Sequence, residues 1–256
     1  MPINYARRLT GSQRTPSADR HLGYTLAFVA GAINAGGFLA VSQYTSHMTG
    51  IVSSMADNLA VGTYELALAG AGALSSFVAG AMCTAVLVNF GRRRGAQGKF
   101  ALPLLLEAAL LLLFGVVGSR LSSVIGLFVP FTVMLLCFIM GLQNALVTKI
   151  SRAEIRTTHI TGIVTDIGIE LGKAIYWNRV ESGQPEVAAN RDRLKLLGTL
   201  AASFFLGGIA GALGFKHAGY VATVPLAVTL IALAIVPPID DLLSSIREWR
   251  ASRDRS

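Results

Sequence analysis

Two histidine-bearing heptads carry the residues best suited to chemistry in this chain. Ser46-His47-Met48-Thr49-Gly50-Ile51-Val52 returns as Thr158-His159-Ile160-Thr161-Gly162-Ile163-Val164, with five of seven positions identical at an offset of 112 residues. An imidazole can donate, accept or carry a proton near neutral pH. A threonine followed by glycine suits a helix start, because the hydroxyl can cap backbone N–H groups and the glycine permits close approach. Upstream, Gly31-Ala32-Ile33-Asn34-Ala35 is matched by Gly141-Leu142-Gln143-Asn144-Ala145, which adds one amide to each copy. The candidate substrate-binding set is therefore Asn34, His47, Thr49 and Gly50 with Asn144, His159, Thr161 and Gly162. Thr49 and Thr161 are expected as N-caps, with the first N–H groups of both helices directed at one centre.

Other chemistry is sparse. The two histidines have no local third ligand, so no metal site is expected. Cys83 and Cys137 fall inside apolar runs and read as small hydrophobes rather than a disulfide framework. No nucleophile–base pair is legible, so neither an enzyme nor a cofactor is expected. Glu107, in Leu106-Glu107-Ala108, is the one acidic residue deep in an apolar run, and its counterpart in the second copy is Thr229. Carboxylates inside a membrane are rare and usually functional, which makes Glu107 a candidate proton-coupling group.

The elements that must position these residues follow from composition. The chain of 256 residues is 53% hydrophobic and only 14% charged, against roughly 25% charged in a soluble domain. No charged residue occurs over 66–91, 121–148 or 196–215. A bilayer core ~30 Å thick demands a helix of ~20 apolar residues. An ordinary soluble enzyme and a disordered chain are excluded. Six spans are expected, from about His21 to Val41, Leu66 to Phe90, Phe100 to Gly118, Leu121 to Thr148 (with Pro130 inside), Leu194 to Phe215 and Ala218 to Ile239.

Two further segments, Ile51 to Val61 and Ile163 to Trp177, are too short and polar to cross. Both are amphipathic at helical spacing. Ile51, Met55 and Leu59 oppose Ser54, Asp57 and Asn58, while Ile163, Ile167, Leu171 and Ala174 oppose Asp166, Glu170 and Lys173. They are read as re-entrant or interfacial helices. An eight-residue linker, Ser42 to Thr49, could reach roughly 26 Å, enough to dip to the midplane.

Charge sets the orientation. With the N-terminus inside, six crossings and short helices that return to their own side, 20 of the 22 lysines and arginines lie inside, all but Arg120 and Lys216. Cytoplasmic loops carry such an excess. The net charge of +8 is thus a matter of topology, and no nucleic-acid partner is expected. No cleavable signal peptide is legible in the first 21 residues, which are polar and basic.

The two copies give the same order of span, motif, short helix, span, span. Small residues recur in the second span of each, at Gly72, Ser76 and Gly80 and at Ser203, Gly207 and Gly211, and Pro103-Leu104 is echoed by Pro225-Leu226. Three crossings per unit are an odd number, so the second copy must enter from the opposite side. The expectation is an all-α polytopic membrane protein of two inverted three-helix repeats, a plan common in transporters. Its parts are a basic tail over 1–21, repeats over 22–118 and 119–239, and a tail over 240–256.

The paired motifs resemble those of the YoaK-like bacterial membrane proteins, the domain-of-unknown-function family 1275. The resemblance covers roughly Leu22 to Pro238. It implies a six-span inner-membrane protein, and the charge count above puts both termini on the cytoplasmic side. Many members carry Asn after the first Thr-Gly, where this chain has Ile51.

The function expected is a small-solute transporter or permease with its site at the paired Thr-Gly helix starts. The competing class is a non-transporting sensor, lipid-binding or assembly protein. The partners expected are the bilayer and an unidentified small solute, and a homo-oligomer is compatible with the plan.

Overall fold

The computed structural model describes residues 15–96, 98–121, 125–151, 157–177 and 186–239. Its elements are α1 (Pro16–Val41), α2 (Met48–Ala60), α3 (Tyr64–Arg93), α4 (Ala101–Leu121), α5 (Ile125–Ile150), α6 (Ile160–Ile175), α7 (Arg191–Ala218), a 3-10 turn (Gly219–Ala222) and α8 (Thr223–Ala234). Among the described residues there is no strand. The tail expected over 240–256, and residues 1–14 of the other, lie outside the described residues. α1 starts before the expected span because Thr15 caps it, its hydroxyl accepting from Ala18 N–H at 3.2 Å, with proline in the first turn.

Five stretches are long and apolar enough to cross a membrane: Ser17–Val41, Tyr64–Arg93, Ala101–Ser119, Pro130–Ile150 and Arg191–Ala234. The last, 44 residues long, contains the fifth expected span and the sixth as far as Ala234. It is interrupted at Gly219, whose φ of 58° and ψ of −139° suit a residue without a Cβ. Leu68 on α3, Val86 on α3 and Phe205 on α7 are 74%, 66% and 67% exposed. Apolar surface of that extent is at home in hydrocarbon.

The pattern of small residues fixes which helices touch. α1 packs chiefly on α7, and α3 on α5. A Cβ on Gly31 would fall 2.0 Å from the Phe204 carbonyl oxygen, and one on Gly207 would fall 2.0 Å from that of Phe28. The second pair repeats this arrangement. A Cβ on Gly141 would fall 2.0 Å from the Phe77 carbonyl oxygen, and one on Gly80 would fall 2.0 Å from that of Phe138. Gly211 crowds the Ala32 carbonyl, and at the matching place the Thr84 hydroxyl donates to the Leu142 carbonyl at 2.8 Å. The first long helix of each half therefore docks on the second long helix of the other, α1 on α7 and α5 on α3, backbone against backbone.

The contact order gives direction. Along α1 and α7 the contacting numbers rise together, from Phe28 with Gly207 to Gly36 with Phe215, so the helices run parallel. The same holds for α3 and α5, from Gly72 with Met134 to Thr84 with Leu142. The third helices are opposed: Gly118 and Gly115 meet Tyr220 and Thr223, while Gly98 meets Pro238, so the 220–238 segment runs antiparallel along α4. The core lies where these pairs join, with Leu22, Leu26, Leu104, Leu111, Leu136, Met140 and Leu230 fully buried.

Along their apolar faces the short helices are buried only in the first turn. Ile51 and Ile163 are buried, whereas Leu59 and Leu171 at the far ends of the apolar faces are 54% and 49% exposed. α2 packs on α3 and α6 on α7. Both helices start two residues earlier than expected, at Met48 and Ile160. The N-caps are therefore His47 and His159 rather than Thr49 and Thr161. The reason is that His47 and His159 carbonyls already accept from Ile51 and Ile163 N–H at 3.1 and 3.0 Å. The linker shortens accordingly to Ser42–His47.

Candidate functional site

Each motif is held by the asparagine upstream of it. Asn34 Oδ1 accepts from the Ser46 hydroxyl at 2.9 Å and from the Ser46 N–H at 3.3 Å. Asn144 Oδ1 accepts from the Thr158 hydroxyl, and its Nδ2 donates to the Met140 carbonyl at 2.7 Å. A partly buried amide tied to both a helix and the next loop fixes where that loop turns. Thr45 and Thr157, one residue before these ties, are both 1% exposed. Neither hydroxyl has a hydrogen-bond partner among the described residues. The duplication thus extends to the orphaned groups.

The two motifs meet at one cavity of about 890 Å³, between α1, α7 and the starts of α2 and α6. Its polar wall includes Asn34, Ser46, His47, Thr49, Thr158, His159 and Thr161, and its apolar wall includes Phe77, Phe204, Phe205 and Ile209. Among the described residues that line it, none is Asp, Glu, Lys or Arg. Such a chamber offers hydrogen bonds without a formal charge, against an apolar wall. Gly50 lies just behind: a Cβ there would fall 2.2 Å from His47 Cδ2, so the imidazole is folded over it. Asn144 holds Thr158 from outside the wall.

A second cavity of about 780 Å³ lies beside the first, at the starts of α6 and α7. Gly162 lines it, and the space where its Cβ would stand is open. Here the sequence missed most of the polar groups. Asp166 and Glu170 were expected on an outward polar face of α6. Instead Asp166 pairs with Arg193 at 3.0 Å. Glu170 is only 2% exposed, accepts from the Asn190 N–H at 2.8 Å and pairs with Lys173 at 3.0 Å. The Asn190 N–H, then the Lys173 side chain, hold the Glu170 carboxyl below the ordinary carboxylate range. The signal that could have found this is Asn190 itself, a capping residue just before an apolar run.

Glu107 is placed elsewhere. It stands on the inward face of α4 beside Leu104, Ala108 and Leu111, is 0% exposed, and neither carboxylate oxygen has a partner among the described residues. It lines neither cavity. Cys137 is buried and Cys83 half-buried, both as free thiols. Among the described residues, no three His, Cys, Asp or Glu side chains stand close enough to share a metal ion.

Apolar helices of spanning length, joined by glycine crossings and bared to the outside on α3 and α7, make this a multi-pass helical membrane protein. The chain belongs to the family described as protein of unknown function (DUF1275), whose model matches residues 22–236. No curated protein and no solved structure matches it.

Proposed function

We propose that this protein is a small-solute permease of the bacterial inner membrane, with both termini cytoplasmic. The observation that carries the reading is the single cavity bearing both histidine motifs on its wall. In this reading Asn34, His47, Thr49, His159 and Thr161 supply polar contacts to the solute. Gly50 lets the His47 ring close over it, Gly162 leaves the space beside the second motif open, and Asn144 holds that motif.

The helix directions support six crossings in two inverted units, with α2 and α6 each returning to its own side. Alternating crossings then make α1 and α7 parallel, α3 and α5 parallel, and α4 and the final segment antiparallel, which is the packing described above. If both short helices crossed, α4 and the final segment would run the same way. If one crossed, α1 and α7 would be opposed. Folds of this plan place solutes where broken helices meet near the midplane.

Glu107, buried and unpartnered, is the candidate for proton coupling. It would act through the packing of α4 on α8 rather than from the cavity wall. Glu107→Gln should then flatten the pH dependence of uptake; an unaltered profile removes it from the mechanism.

The test of the whole reading has two stages. Purified protein is heated with a panel of charged and uncharged polar metabolites, since a ligand of the native state at a hundred times its Kd stabilises by about 2.7 kcal/mol. The stabilising solute is then followed into vesicles. His47→Ala with His159→Ala should abolish uptake without loss of protein from the membrane, and unchanged uptake excludes the site. A lipid-binding role is the second reading, favoured by the exposure of Phe205 and Ile209 on the cavity rim. Stabilisation by lipids alone would select it.

A further inference from the structure

The two cavities share a wall. His159 and Thr161 line both. On one side of that wall the central chamber has no charged side chain among its described lining residues. On the other, among its described lining residues, stand Arg20, Asp166, Asp192 and Arg193, two cations and two anions. The polar end of α6 and α7 is therefore graded, from balanced formal charge, through an imidazole and a hydroxyl, to neutral hydrogen-bonding groups. The first motif lacks this arrangement. There the His47 ring covers Gly50, whereas the space over Gly162 is clear.

We infer that the two cavities are successive chambers of one path, parted by His159 and Thr161. The outer chamber is a vestibule that takes a polar solute of no net charge from water. This rests on the permease reading and deepens it by naming the solute class and its route. A vestibule of balanced charge holds neither sign in excess. In the permease reading the inner chamber lies near the midplane, where the lack of a formal charge on its described lining penalises any ion that arrives without a counter-charge. A solute that enters must exchange its water for the hydroxyl, amide and imidazole groups of the inner wall. His159 and Thr161 are the side chains it must pass, so they set what size can follow.

The experiment reads chemical access and needs no known solute. In the full-length protein in vesicles, with Cys83→Ala and Cys137→Ala as background, Thr165→Cys reports the vestibule and Thr49→Cys the inner chamber. Three methanethiosulfonate probes of similar size are compared: hydroxyethyl (neutral), trimethylammonium-ethyl (cationic) and sulfonatoethyl (anionic). All three should modify Thr165→Cys at similar rates. At Thr49→Cys the neutral probe should outpace each charged one by about a hundredfold, the scale set by placing a charge at membrane depth. His159→Trp should slow the neutral probe at Thr49→Cys by about tenfold or more, roughly one barrier increment of the kind a blocked passage adds, and leave Thr165→Cys unchanged. Thr161→Phe repeats this block if the tryptophan variant does not fold. Equal rates for charged and neutral probes at Thr49→Cys overturn the solute class. Labelling there that ignores both bulky variants overturns the route. A failure of the permease reading looks different: the labelling pattern holds while no solute is taken up.

Discussion

The two histidine motifs are alike in what holds them and unlike in what surrounds them. Asn34 ties Ser46 and Asn144 ties Thr158; His47 and His159 each cap a short helix. Both copies leave a buried threonine hydroxyl without a partner among the described residues. Yet His47 folds over its glycine, while Gly162 faces open space beside a charged cavity. The exits differ too. Asn58, at the end of α2, accepts from the Thr63 hydroxyl at 2.7 Å through its side chain, and Thr63 caps α3. Glu170, 112 residues on, accepts from the N–H of Asn190, which caps α7. One position does one job twice, once with a neutral amide and once with a carboxylate. The duplicated frame is shared, and the difference between the halves lies in charge and access.

The frame is where substitution should cost most, and equally in both halves. At Gly31 and Gly141 the obstructing atoms are carbonyl oxygens of the facing helix. Overpacking costs about 1–3 kcal/mol where side chains can give way; a helix backbone cannot. Gly31→Leu and Gly141→Leu should each remove most folded protein from the membrane fraction. Gly198→Ala on α7, with open space where its Cβ would stand, should not. Monodispersity after detergent extraction measures this. Survival of one leucine variant and loss of the other would break the equivalence of the halves.

A smaller effect should separate the motifs themselves. Both motif glycines stand in the first turn of a helix, where alanine is favoured over glycine by about 0.5–1 kcal/mol. Gly162→Ala should show that gain as a raised Tm. Gly50→Ala should not, because its methyl must push the His47 ring aside. Equal gains would show that His47 is not seated on Gly50.

How much of this could be read from the chain follows from which forces are local. Apolar stretches of spanning length were legible because hydropathy over ~20 residues is a local sum, although five are found where six were expected. The duplication was legible from seven letters, and so were Asn34 and Asn144. The small-residue stripes were visible, but their register was not: Gly80 matches Gly207, because they meet the corresponding carbonyls of Phe138 and Phe28, and the same offset then pairs Ser76 with Ser203. The caps were misplaced by two residues because Thr-Gly looks like a start, while the ties to Ser46 and Thr158 come from residues 12 and 14 positions away. The buried Glu170 was misread for a similar reason. A carboxylate opposite an apolar helical stripe faces water unless another element brings a donor, and here Asn190 does, 20 residues downstream.

That carboxylate gives the smallest effect and the sharpest contrast between the halves. The folded state holds Glu170 below the ordinary carboxylate range, first through the Asn190 N–H and then through Lys173. The unfolded chain therefore takes up a proton at higher pH than the folded one does. The stabilisation is fully present above the unfolded carboxylate pKa and is lost as pH falls through the lowered folded value. Wild-type Tm should accordingly fall on acidification through and below the usual carboxylate range. Glu170→Gln should shrink that fall while lowering Tm at neutral pH. Asn58→Asp puts the carboxylate in the first half, where Thr63 donates through its hydroxyl and no lysine stands three residues on. It should gain little of the same pH dependence. If Asn58→Asp titrated as steeply as Glu170, the shift would belong to the helix end in general, and the contrast between neutral and charged exits would fall.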